Sequence, residues 1–368
     1  MTSIDDRRSN AASQVQNSQP LVQPAPLTRA LIDSLPDIRG AHIDYGEIAT
    51  AMSMSPDQAR EARFGEALDQ TRDAFMGPYS VGGKTVFAQP QFRMKEGYEA
   101  AHGTFQVTAK GDFVADPTKT VDGFHRALTA KGRQLVGILA RAGEPNPGGA
   151  MLGYPSPRQL VRATQALIDA GKLPSLPPPA TTSDCIRKMQ WDWGIGIDCV
   201  DWCMNGLARV TGRSVESMGL QRGTDPFGTT GETTPRGFAR VGATSARAGD
   251  IVTLYNPNDP PGHRVIVRDR SVVTANDPKA REVVARWGAT ASDFFRGSGP
   301  FRIMHVDSSW GAEDGKAFGG YRRDTWVFDE GSKSWMSYSP HSGEVGVHVS
   351  GAGPAGEALE GVYRWSGS

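Results

Sequence analysis

Cysteine is scarce in this 368-residue chain, which has three: Cys185, Cys199 and Cys203. So few exclude a disulfide framework of the kind that staples small secreted domains, and an odd number leaves at least one thiol free. An excess of charge is lacking too. The 40 Lys and Arg residues are matched by 40 Asp and Glu, a formal net charge of zero. That balance gives no bulk electrostatic pull toward nucleic acid or an anionic membrane. No run reaches the roughly 18–20 apolar residues of a membrane span. The N-terminus lacks the basic-then-apolar order of a secretory signal, so the expectation is cytoplasmic synthesis without a Sec-type leader.

Residues 1–27 are rich in Ser, Asn, Gln, Pro and Ala and poor in anything that could be buried, which predicts a disordered arm. From 28 to 172 the pattern is mainly helical. Helices are predicted from Leu27, from Ser55-Pro56 as a cap and first turn, over 121–142 and over 157–171, with a small hairpin within 79–118. The proline cluster in 173–182 reads as an extended linker and marks a domain boundary. Beyond it, 183–368 holds a helix after Thr182, a short helix at Cys199 and a glycine-rich loop over about 220–246. Strands follow near 250–255, 263–268, 301–307, 324–329, 344–349 and 361–365. Asp277-Pro-Lys-Ala-Arg reads as an inserted helix near the cleft. Helices followed by a strand-rich stretch predict an α+β fold.

The chemistry concentrates at Gly-Ile-Asp198-Cys199-Val-Asp-Trp, where a glycine-containing loop passes into a helix. Unpaired N–H groups and the positive end of the helix favour thiolate over thiol there. Against this stands the ordinary reading of an isolated cysteine as core. A base is available downstream in Pro-Gly-His263-Arg-Val-Ile-Val, where a histidine opens a β-branched run. On the next strand a period of two puts His305 and Asp307 on one face with Ile303. Cys203, one turn after Cys199, should point into the core, and Cys185 is either core or a disulfide partner of Cys203. A zinc site from Cys199, Cys203 and His263 lacks the second close ligand pair of usual zinc motifs. Trp191, Trp193 and Trp202 should pack around the cysteine helix, with Trp193 and Trp202 the candidates for lining a substrate groove.

Asp198-Cys199 with Trp202 and Leu207, then Arg247-Ala-Gly-Asp250-Ile-Val, then Gly262-His263-Arg-Val-Ile-Val, occur in an order that resembles the NlpC/P60 papain-like cysteine hydrolases over residues 181–368. Gly361-Val-Tyr-Arg resembles that family's closing strand. The resemblance implies a papain-like C-terminal domain in which Cys199 is nucleophile, His263 general base and a polar residue on the following strand the orienting group. His305 fits the family's pattern for that third position; Asp307 is the rival, because a carboxylate stabilises imidazolium more strongly. Arg264 stands where the family has a small apolar residue, which implies a pocket of different shape. The implied activity is metal-free and cofactor-free cleavage of an amide bond in peptidoglycan peptide stems. Without a secretory signal, such an enzyme would need a dedicated secretion system to reach the periplasm or a target cell, and a cognate immunity protein is expected. The same Cys-His chemistry could instead serve a protease, deamidase or acyl transferase acting on host proteins. A non-catalytic binding module is the remaining class.

Overall fold

The computed structural model describes residues 55–92, 105–107, 113–115, 128–144, 148–228, 231–255, 262–297, 299–310, 319–338, 345–349 and 358–367. All described residues belong to one compact unit. The predicted N-terminal arm and the helix expected from Leu27 lie outside the described residues.

Helix starts are written in the sequence as caps. Helix α1 (Pro56–Phe75) begins with the Ser55 hydroxyl accepting from the Gln58 N–H while the Gln58 side chain accepts from the Ser55 N–H. Pro56 fills the first turn, where a missing N–H is harmless. After the hairpins β1 (Tyr79–Val81) with β2 (Lys84–Val86) and β3 (Phe105–Val107) with β4 (Phe113–Ala115) comes α2 (Ala130–Arg141). The short α3 (Gly148–Leu152) precedes α4 (Pro157–Asp169), which repeats the Ser-Pro capping box with Ser156 and Gln159. Thr181 and Asp184 cap α5 (Thr182–Trp193), and Asp198 caps α6 (Cys199–Thr211).

The remaining strands are β5 (Phe238–Val241), β6 (Ile251–Tyr255), β7 (His263–Val273), β8 (Phe301–Trp310), β9 (Gly320–Asp329), β10 (Ser334–Tyr338), β11 (Val345–Val349) and β12 (Ala358–Trp365). They form one antiparallel eight-stranded sheet in the order β11-β10-β9-β8-β7-β6-β12-β5. The protein is therefore α+β. Its central strands are buried on both faces along Ile251–Leu254, His263–Val267 and Phe301–Met304. Ile251, Ile266 and Tyr363 join the helical core, while Val252, Leu254, Val265, Val267, Met304 and Val306 form a second cluster. Helices α7 (Pro278–Trp287) and α8 (Ala289–Phe294) pack with Val273, Phe301 and Ile303 in a third. That is the end of β7 remote from His263, roughly 30 Å away along an extended strand. The inserted helix expected beside the cleft therefore covers the other end of the sheet.

The predicted boundary at 173–182 is corrected by the core itself. Leu68 and Phe75 of α1, Leu135 and Ile138 of α2, and Leu160 and Leu167 of α4 share one buried cluster with Trp202, Cys203, Ile251 and Ile266. Prolines end helices because of local geometry, but they say nothing about whether apolar faces on either side meet. Here they meet. Gly206 of α6 is one point of close approach: a Cβ there would lie 2.7 Å from Leu68 Cδ2 and 3.6 Å from Ile266 Cδ1. Among the described residues, no helix is long and apolar enough to cross a membrane.

Arg247-Ala-Gly-Asp250 is the turn into β6. Gly249 has φ +87°, and a Cβ on it would come 2.0 Å from Phe64 Cε1. Asp250 accepts from the Arg247 N–H at 2.9 Å and from Arg364 Nε at 2.9 Å, which closes the turn and ties it to β12. Gly249→Ala should cost about 3 kcal/mol, from left-handed strain plus overpacking. Urea denaturation reads the loss, and Phe64→Ala in the same chain should return part of it; no loss in the single variant would contradict the packing of α1 on this turn.

Candidate active site

The segment leading into Cys199 is strapped by main-chain bonds to the N-terminal half. Gly196 N–H donates to Ala150 O at 3.1 Å, Ile197 N–H to Gln91 O at 2.9 Å and Asp198 N–H to Gly153 O at 2.7 Å. The Asp198 carboxylate then accepts from Asp201 N–H at 2.7 Å. Cys199 is thus the first residue of a capped helix packed on β7, and it is 7% exposed. The Arg264 main-chain N–H bonds to its thiol. Burial pushes the thiol pKa well above the ordinary range. Asp198 and Asp225 push the same way, and the Arg264 charge and N–H only partly offset them. In this arrangement the thiol keeps its proton.

His263 opens β7 beside that Arg264 N–H, but its side chain goes to the other face. The register pairs His263 with Leu254 and Val265 with Val252, all on the second cluster's face, while Arg264 pairs with Thr253 and Ile266 with Ile251 toward α6. The imidazole lies against Trp310, with ring centroids 3.6 Å apart, and the Arg322 guanidinium covers Trp310 at 4.0 Å. Its Nε2 is buried with no hydrogen-bond partner. Burial, then Arg322 and Arg264, hold its pKa well below the ordinary value, so the ring is neutral. The structure brings Cys199 to the start of the strand that carries His263 but does not bring thiol and imidazole together.

Neither candidate for the third position meets His263. His305 stands opposite Asp269 on β7 and bonds it, Nδ1 to Oδ1 at 2.6 Å, with both side chains partly open to solvent. Asp307 is fully buried on the α6 face, opposite Ile266. Its carboxylate takes Arg268 at 3.1 Å and Arg323 at 3.0 Å, and both arginines also bond Asp69 of α1. That network joins α1 to the sheet. The two tryptophans expected at a groove are core as well. Trp202 is fully buried between Phe75 and Tyr321, at centroid distances of 5.5 and 4.9 Å. Trp193 is buried beside Lys131 and Lys172. All three cysteines are free thiols, so Cys185 and Cys203 are not paired. Among the described residues, no three His, Cys, Asp or Glu side chains gather as a metal site.

The charges that act on Cys199 come from Asp198, Arg264 and Asp225; the motif reading noted Arg264 only as a change of pocket shape and gave Asp225 and nearby Asp201 no part. Arg264 is 0% exposed and bonds Asp225 Oδ2 and Gly228 O, each at 2.6 Å. Asp201 is buried two residues after Cys199, accepts from Gly223 N–H at 3.2 Å and lies 3.7 Å from Arg222. Burial pushes its carboxyl up to about 7, with Arg222 pulling the other way. The available signal was a charge inside an apolar pattern: an arginine within a β-branched run and an aspartate on a core helix must find partners, because an unpaired buried charge is costly. Compared with protein-family models, curated proteins and solved structures, the chain matches none of them.

Proposed function

We propose that the protein is a cysteine-dependent amide hydrolase of papain-like, NlpC/P60 type, acting on peptidoglycan peptide stems and held here in a resting arrangement. The observation that carries this reading is the hydrogen bond from Arg264 N–H to the thiol of Cys199. It puts a capped helix-terminal cysteine at the first residues of the strand that begins with His263. His263 is the terminal residue of the β6–β7 ladder, paired with Leu254. Bringing the imidazole to the thiol's side requires that last pair to open and the His263 carbonyl to leave Arg264 Nη1.

In the working arrangement His263 accepts the Cys199 proton and the thiolate attacks the amide carbonyl. The tetrahedral intermediate collapses as the leaving amine takes that proton, and water releases the acyl group from the thioester. A wall substrate places the site of action outside the cytoplasm of the producing cell, reached through a dedicated secretion system, with an immunity protein as the natural partner. Host proteins are the alternative substrates for the same chemistry. A second reading, a non-catalytic binding module, is favoured by the separation of Cys199 and His263 on opposite sheet faces.

Digestion of purified sacculi separates these readings. Wild-type protein should release muropeptides that mass spectrometry assigns to one amide bond, and Cys199→Ala should lower that release by at least about a thousandfold. Identical profiles would remove peptidoglycan hydrolysis and leave the protein-substrate or binding readings.

A further inference from the structure

We propose that residues 221–226 form a strap across Cys199, pinned to the sheet by Arg264 through Asp225, and that release of this strap opens the thiol to substrate. The inference rests on Cys199 being the reactive group. The strap runs between two buried apolar anchors, Leu220 and Phe227, and none of its six residues is itself buried. Phe227 is locked against Phe238 and Tyr363, with centroids 5.4 and 4.9 Å away, so it is a fixed pivot.

Between the anchors Gly223 packs against the Tyr154 ring, and the remaining ties are polar. Arg222 donates to Asn205 Oδ1 at 3.2 and 3.3 Å, Gly223 N–H donates to Asp201 Oδ2, and Asp225 takes the Arg264 guanidinium. Arg264 is the residue that links strap to thiol. Its Nη1 bonds Leu254 O at 3.0 Å and His263 O at 2.9 Å, which fixes the guanidinium to the sheet, while its Nη2 holds Asp225. Its main-chain N–H meets the thiol. The ion pair spends the positive charge on Asp225 while the strap is closed. Once Asp225 leaves, the same charge faces Cys199 and favours thiolate, so opening would both expose and activate the nucleophile. Arg264 is on this account a positioning residue.

Alkylation by iodoacetamide, followed at each cysteine by peptide mass spectrometry over a range of pH, tests this without any wall substrate. Cys203, fully buried one turn further along α6, serves as the internal control. In Asp225→Asn, Cys199 should react at least about tenfold faster than in wild type, with its pH midpoint moved lower and Cys203 still protected. Arg222→Gln, which cuts the strap's bonds to Asn205 and leaves that of Gly223 to Asp201, should raise the Cys199 rate without lowering the midpoint as far. Equal rates in wild type and both variants would overturn the strap. So would parallel gains at Cys199 and Cys203 in both variants. A strap that opens in a protein inert toward sacculi would leave this inference standing and remove only the hydrolase reading.

Discussion

Asp307→Ala is expected to lower the unfolding free energy by about 3–5 kcal/mol, the range for removing one partner from a buried ion-pair network. Asp307 is 0% exposed, and its two oxygens are taken by Arg268 and Arg323. Removing the carboxylate leaves two guanidinium groups sharing Asp69, whose side chain is 36% exposed and a weaker counter-charge. Urea denaturation measures the loss. A change under about 1 kcal/mol, the level of a surface pair, together with loss of sacculus digestion, would return Asp307 to the orienting role the sequence allowed it.

Asp201 should make stability depend on pH in the opposite sense from most carboxylates. Burial raises its folded pKa to about 7, above the ordinary 3.8. Between those values the folded protein holds a proton that the unfolded chain has released. The contribution is therefore fully present below about pH 3.8 and is lost as pH rises toward 7. By linkage stability falls across that window. Asp201→Asn mimics the protonated side chain, so it should match wild type near pH 4 and exceed it at pH 8. Chemical denaturation of both proteins at the two pH values decides the matter; a variant less stable than wild type at pH 8 would mean that the ionised Asp201–Arg222 pair is the favoured state.

Local signals were legible where the physics is local. Ser55-Pro56 and Asp277-Pro278 open helices where the sequence places them, and the helix expected after Thr182 begins at Thr182. The long strands β7 and β8 were visible as β-branched runs. Strand β5 was not, because Phe238–Val241 is a short edge whose partner, β12, lies over a hundred residues later. The proline boundary misled for a related reason: a connector is visible in sequence, but contact between the faces it joins is not. The side on which His263 emerges was the least legible point. Arg264 apart, Val265, Ile266 and Val267 are apolar on both faces of a doubly buried stretch of strand, so no alternation marks which face looks toward α6. Only the pairing of His263 with Leu254 settles it.

The meeting of α1 with the far strands has a consequence for how this chain is made and divided. Asp69 reaches Arg323 across 254 residues of sequence. Such a contact closes late, after most of the polypeptide exists, and pairings this distant slow folding. A ribosome-bound nascent chain carries α1 long before its acceptor surface has been synthesised. For the same reason the cysteine-bearing half is not a transplantable module: cut free of residues 55–171, it would present a bare apolar sheet face and a loop into Cys199 without its three main-chain straps.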